Sequence, residues 1–409
     1  MTAAMRAESG RFDPIDPERL RLASLLAPVD QAHFFEKYWE KDILVVTRDR
    51  PDYLARCLTL DEIDQVITTQ TLHNDALSLV DAKREIKAEE YCFPSGMVDP
   101  ARLYGFFHDG ATIILPQLHL RVASLADITR AMEAELGHRF QTNVYFTPPG
   151  QSQGFRPHFD NHDVFVLQVA GSKSWKIYDT PIPLPDRHID FNPETYRLAP
   201  VTREFTLHAG DVAYVPRGVV HDAVSTDEMS LHITLGALVR TWADAFRTAI
   251  DAINLNTPAF REALPPGFHR PGTDRAAARL KAKALLELFV EGFNADALLG
   301  DFAQELVESR HGLLRGQLQQ VQRLDDIGPA SRAAARPNLL YEISHDADGV
   351  SLFCYGQELR FPAHAAATLE AALSPGDYAV GELPGEVDDQ GKVVLVRRLV
   401  REGLVRLSD

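Results

Sequence analysis

Between Asn143 and Val239 the chain reads NVYF (143–146), DVFVLQVAG (163–171), SWKIYD (174–179), REFTL (203–207), VAYVP (212–216), VVHDAV (219–224) and SLHITLGALV (230–239), with Gly, Pro and Asp between the runs. Short segments rich in β-branched and aromatic residues, broken by turn formers at regular intervals, predict a β-sandwich or barrel. Upstream of this block, Leu125–Leu136 carries helix-like spacing. Thr59–Thr68 begins with an N-cap threonine followed by acids, as a helix should. A helical region is expected from about Asp16 to Glu40, behind a polar tail of about ten residues. After Arg240 the texture turns helical over Trp242–Ile253, Ala276–Phe293 and Phe302–Leu324, with Leu264–Gly272 (LPPGFHRPG) as a long connection. From Pro337 short strands at Leu339–Ile343, Val350–Tyr355 and Glu358–Phe361 alternate with helices at Ala363–Leu373 and Lys392–Glu402, a pattern that reads as a winged-helix-like end unit. The expected division is therefore 1–239, 240–336 and 337–409.

The whole sequence has 409 residues, 45% of them hydrophobic and 24% charged, which bounds it to a globular protein of a few units and excludes disorder as its main state. Its formal charge of −16 opposes polyanions and favours basic partners. The last unit carries six Lys and Arg against twelve Asp and Glu, which disfavours free nucleic acid as a ligand. Cys57, Cys92 and Cys354 are scattered and odd in number, so neither a disulfide framework nor a clustered zinc site is expected. Met1–Pro14 shows no apolar leader and no later window reaches the length of a membrane span. A cytoplasmic protein without membrane partners is the expectation.

The chemistry concentrates in Gly154-Phe155-Arg156-Pro157-His158-Phe159-Asp160-Asn161-His162-Asp163. Residues two apart on an extended chain face one way, so His158 and Asp160 can present an imidazole and a carboxylate to a common point. His221, inside GDVAYVPRGVVHD, supplies a third group if two hairpins bring the segments together. Two histidines and one carboxylate leave three open positions on a metal, the ligand set of non-haem Fe(II) oxygenases. His162 shares the phase of His158 and Asp160 and is the rival ligand, although about 13 Å from His158 along an extended strand. His188, His208 and His232 are read as structural or surface residues, with His208 and His232 close enough in the sheet to line a pocket. Asp163–Val169, the turn Ala170-Gly171-Ser172 and Lys173–Tyr178 read as a hairpin. On its return strand Lys173 shares a face with Trp175 and Ile177, an expensive place for a cation without an anion. Either a bound dicarboxylate pairs with it, or the lysine reaches from the hairpin mouth into water.

NVYFTPPGQSQGFRPHFDNHDVFVLQVAGSKSWKIYD followed by LHAGDVAYVPRGVVHDA resembles the JmjC-type ribosomal oxygenases, the cupin 4 group of arginine and histidine hydroxylases. FFEKYWEKDILVV upstream, and TWADAFRTAI and FREALPPGF downstream, extend the similarity over nearly the whole chain. The resemblance implies a double-stranded β-helix followed by a helical dimerisation unit and a winged helix. It also implies Fe(II) held by His158, Asp160 and His221, with 2-oxoglutarate and O₂ as co-substrates. Lys173 matches the residue that holds the distal carboxylate of 2-oxoglutarate, and Asn143 and Thr234 match polar positions lining that pocket. The implied activity is hydroxylation of an Arg or His side chain of a ribosomal protein by a homodimer, an encounter the negative charge would favour. Hydroxylation of another peptide or a natural product, and a non-catalytic cupin-like interaction module, are the alternatives. Gly150-Gln151-Ser152-Gln153-Gly154 is one residue longer than the family's Gly-Ser-Gln-Gly turn.

Overall fold

A computed structural model describes residues 5–7, 13–347 and 349–408. The polar tail expected for the first ten residues falls largely outside them. Nine strands form the central sheet: β1 (Met5–Ala7), β2 (Leu44–Arg48), β3 (Ser78–Val80), β4 (Thr112–Leu115), β5 (Arg139–Thr147), β6 (Asp163–Ile177), β7 (Arg203–His208), β8 (Val212–Val215) and β9 (His221–Leu238). Their order is β1-β2-β8-β6-β9-β5-β4-β3, with β7 added to the second half of β6, and only β1 and β2 pair in parallel.

The strands β6 and β9 organise the rest. They pair along most of their length, and each changes neighbours midway: β6 passes from β8 to β7, and β9 passes from the bridges at Gln153 and His158 to β5. This sharing of two long strands wraps the sheet around its own inner face, giving the double-stranded β-helix that the resemblance implies. Alternation explains why these strands read as nearly continuous apolar runs. Leu231, Ile233 and Leu235 of β9 pack outward with Phe165 and Leu167 of β6 into the large core beneath the upstream helices, while Val164 and Val166 turn inward with Trp175 and Ala213.

The structure corrects the hairpin expected at Asp163–Tyr178. Ala170-Gly171-Ser172 is not a turn; β6 runs straight through it as one strand of 15 residues, with register shifts on β9 between Gln168 and Ala170 and between Gly171 and Lys173. Gly171 has φ +62°, and a Cβ there would lie 1.6 Å from the carbonyl oxygen of Met229, so the residue permits a bulge pressed against the neighbouring strand. The bulge also changes phase. Val164 and Val166 face inward before it, and Lys173 and Trp175 face inward after it. Likewise the greater parts of VVHDAV and SLHITLGALV belong to one strand of 18 residues.

The helices at Leu60–Thr69 and Ala123–Leu136 match expectation, the first closed by a reciprocal capping box between Thr59 and Glu62. The region from Asp16 to Glu40 divides into Pro17–Arg19, Leu22–Leu26 and Gln31–Lys37. The helical unit contains Trp242–Asn256, Ala276–Gly292 and Ala295–Glu308, but the expected Phe302–Leu324 helix breaks after Glu308 and resumes only at Gln317–Gln322. Gly316, at φ +72°, precedes that second helix. At the C-terminal end, strands at Arg332–Ala335, Asp377–Ala379 and Val405–Leu407 make one small sheet, and Glu342–Asp346, Gly349–Cys354 and Gln357–Phe361 make another. These pack on helices Ala366–Leu373 and Asp389–Arg401 around a core that takes in Ile327 and Ala333 as well as Val350, Leu369 and Val396.

Candidate metal centre and co-substrate pocket

His158 and His221 sit opposite one another on adjoining extended segments. The His158 amide donates to the His221 carbonyl at 3.1 Å and the His221 amide donates back at 2.8 Å. That reciprocal pair sets the two rings on one side with centroids 4.8 Å apart. Asp160, two residues beyond His158, completes the group: one ligating atom from each of the three lies within 4.8 Å of the others. The Asp160 carboxylate stands 4.0 Å from His158 Nε2 and 3.9 Å from His221 Nε2.

Local hydrogen bonds aim both rings. His158 Nδ1 lies 2.9 Å from the Arg156 carbonyl and His221 Nδ1 lies 3.0 Å from the Val219 carbonyl, each the acceptor two residues back. A carbonyl can only accept, so each Nδ1 donates, and each ring is fixed with its Nε2 turned toward Asp160. Burial by itself would raise the Asp160 carboxyl, but His162, His221 and His158 outweigh it and hold the group below its usual value. Burial, reinforced by His158, lowers the His221 imidazole against the opposing pull of Asp160. A carboxylate facing the Nε2 atoms of two imidazoles suits a divalent transition metal with open coordination positions.

His162 does not join this group. Its ring packs on Gly236, where an added Cβ would approach His162 Cδ2 to 2.5 Å, and its Nε2 is buried without a hydrogen-bond partner among the described residues. His188 and His208 lie exposed and away from the cavity, whereas His232 lines it.

Behind the three ligating groups lies a cavity lined by Lys173, Thr112, Tyr145, Trp175, His232 and Thr234, among others. Lys173 is only 5% exposed. Its ammonium donates to Thr147 Oγ1 at 3.2 Å, and Thr147 is bonded in turn to Thr112 at 3.1 Å. No acid lies within ion-pair range of Lys173 among the described residues, and burial drives its pKa down to about 7. The alternative of a lysine reaching into water is therefore excluded. His232 stacks on Tyr145 at 4.8 Å and 4°, and burial, with the added effect of Lys173, holds it well below the usual histidine range. His232 Nδ1 and Trp175 Nε1 have no hydrogen-bond partner among the described residues. An unpaired buried ammonium and two unsatisfied ring nitrogens fit a small polyanionic ligand entering beside the metal position.

Thr234 lines the cavity, while Asn143, its cross-strand partner, does not; the Asn143 side chain accepts from the Gln117 amide at 3.2 Å. The sequence reading missed Thr147 and Tyr145. Both follow Asn143 at intervals of two along β5 and so share its face, which was the available signal.

Residues 117–245 match the family model described as the JmjC domain. The chain is 32% identical over 239 residues to the bifunctional lysine-specific demethylase and histidyl-hydroxylase NO66 of Drosophila yakuba, covering 57% of this chain and 34% of that protein. It is 28% identical over 256 residues to human ribosomal oxygenase 1, covering 60% and 39%. The chain thus spans little more than a third of the length of these curated relatives. The ribosomal oxygenase YcfD of Escherichia coli, solved in complex with cobalt and 2-oxoglutarate, superposes with a TM-score of 0.55 at 14% identity, covering 93% of this chain and 99% of that one. At that identity the likeness is one of fold, and it extends through the helical and C-terminal units.

Proposed function

We propose that the protein is an Fe(II)- and 2-oxoglutarate-dependent oxygenase that hydroxylates a protein side chain, an Arg or His of a ribosomal protein. The observation that carries this reading is the placement in one cavity of three convergent groups able to ligate a metal and a buried lysine with no acid in ion-pair range among the described residues. A metal-binding interaction module has no use for that lysine, whereas a dicarboxylate co-substrate supplies its missing charge. The histidyl-hydroxylase and ribosomal oxygenase that the chain resembles support the same class of substrate.

His158, Asp160 and His221 would hold the iron, and Lys173 would hold the distal carboxylate of 2-oxoglutarate with Thr147 fixing the direction of its ammonium. When bound, iron with 2-oxoglutarate and O₂ converts a C–H and the oxo acid into C–OH, succinate and CO₂. The chain's own task is then geometric. The carbonyl-anchored imidazoles keep their lone pairs directed, the walls of Tyr145, Trp175 and His232 exclude water, and the open side must aim one C–H of the substrate.

Homodimerisation in the cytoplasm belongs to the same reading. Its support is the helical unit, where Trp242 is 66% exposed, Leu280 71% and Val290 72%, and where helix Ala276–Gly292 buries no residue within the chain. Faces this apolar are stabilised by a second copy. Among the described residues no helix is long and apolar enough to cross a membrane. Mass spectrometry of ribosomal proteins from cells with and without the protein tests the substrate class. A +16 Da Arg or His residue present only with the protein is expected; identical spectra would reject ribosomal proteins as the target.

A further inference from the structure

We infer that Arg217 is a positioning residue for the metal centre, acting as a buried clamp that holds the two ligand-bearing loops in register; the inference rests on the metal reading above. Asp160 lies on the loop that enters β6, and His221 lies at the start of β9 after the β8 turn. The His158–His221 backbone pair joins the two segments at one end. Arg217 and Asp163 join them at the other.

Asp163, three residues past Asp160, is fully buried, and its carboxylate accepts three hydrogen bonds from β8 and the turn after it: from Arg217 Nη1 at 2.5 Å, from the Tyr214 hydroxyl at 2.8 Å and from the Arg217 amide at 3.4 Å. Arg217, itself 5% exposed, also pairs with Glu40 at 2.6 Å, and the Glu40 amide donates to the Tyr214 hydroxyl at 2.8 Å. One residue further on, the Gly218 amide donates to the carbonyl of Asp160 at 3.0 Å. Gly218 has φ +87°, and a Cβ there would lie 2.2 Å from the Ile182 carbonyl oxygen, so the turn is pressed between the ligand loop and the 182–185 segment. The turn therefore carries the Asp160 backbone on one side and leads into His221 four residues after Arg217. The His158–His221 bridge closes the same unit from the other end.

The pair stands outside the reaction cavity, and neither Arg217 nor Asp163 lines it. Its effect has to pass through the ligands it spaces. Metal affinity depends on ligand positions held within about 0.5 Å, and partners that only orient ligands typically contribute about ten- to hundredfold to that affinity. A buried arginine elsewhere in the sheet provides a matched control. Arg48 is 6% exposed and donates to the carbonyls of Leu25 and Ala27 at 2.8 Å each, with no bond to either ligand loop.

The experiment is titration of purified protein with Co(II), followed by its visible absorption, for wild type, Arg217→Met, Arg217→Lys, Glu40→Gln and Arg48→Met, with melting temperature measured on each. Wild type should bind one Co(II). Arg217→Met should bind it at least tenfold more weakly, Arg217→Lys should recover part of the loss, and Arg48→Met should lower the melting temperature while Co(II) affinity stays within twofold. Should Arg217→Met not fold, Glu40→Gln, at a half-exposed site, carries the test with an expected loss of about threefold. Unchanged Co(II) affinity in the folded Arg217 and Glu40 variants would overturn the clamp and leave the metal site standing. Wild type that binds no Co(II) would overturn the metal reading instead.

Discussion

Replacing Lys173 by alanine separates co-substrate binding from metal binding. The ammonium is buried, hydrogen-bonded only to Thr147 among the described residues, and without an acid in range. A bound carboxylate would make a charge-assisted bond to it, a contact whose loss costs about 1.5–3 kcal/mol. At about 1.4 kcal/mol per factor of ten, the dissociation constant of 2-oxoglutarate should rise about ten- to hundredfold in Lys173→Ala, with Co(II) or Mn(II) affinity retained. The pH dependence follows from the direction of the shift. The folded protein holds Lys173 near 7, against about 10.4 for a free lysine, so between these values the unfolded chain binds more protons than the native one. Stability of the free protein should therefore rise with pH across that window, and Lys173→Met should remove this contribution. Co-substrate binding needs the charged form, so affinity should fall as pH climbs above about 7. Anaerobic calorimetry with Mn(II) at a series of pH values reads both effects. Unchanged 2-oxoglutarate affinity in Lys173→Ala would refute the assignment and require another cation; Arg156, which donates to the Ala82 carbonyl at 3.1 Å and does not line the cavity, is poorly placed to be one.

Thr147→Val should leave Lys173 buried but undirected, raising the KM for 2-oxoglutarate about two- to tenfold, the worth of one ordinary hydrogen bond; a kcat effect at unchanged KM would place Thr147 elsewhere in the mechanism. Asp160→Ala should lose metal content and turnover together while remaining folded by circular dichroism, and full turnover in that variant would sink the ligand assignment. His162→Ala should keep its metal, and loss of metal there would move a ligand to that residue. Sedimentation at micromolar concentration should show a dimer that dissociates in Trp242→Asp/Val290→Asp, whereas wild type at the 45.5 kDa monomer mass would reject the dimer.

The convergence of His158, Asp160 and His221 was legible because its information is local. His158 and Asp160 sit at a spacing of two on an extended segment, and the Pro-Arg-Gly turn before His221 marks where a strand must begin again. The organisation behind them was less visible. Gly171 reads as a turn because glycine at positive φ serves hairpins and bulges alike, and only the approach of Met229 from β9 decides between them. The face assigned to Lys173 was nevertheless right, since Lys173, Trp175 and Ile177 all lie beyond the bulge and alternate normally. Thr147 was missed as the lysine's partner because the two residues meet through the sheet, and register between strands distant in sequence is not written in either one. The break after Glu308 was signalled by Gly312 and Gly316, which the apolar spacing around them outweighed in the reading.

Hydroxylation of a ribosomal-protein side chain is read out by supplying the purified protein with Fe(II), 2-oxoglutarate, ¹⁸O₂ and isolated ribosomal proteins, then measuring succinate and peptide masses together. An Arg or His residue heavier by 18 Da is expected, formed in step with succinate and absent with Asp160→Ala. Iron-loaded protein that forms neither succinate nor a labelled side chain would contradict the proposed activity.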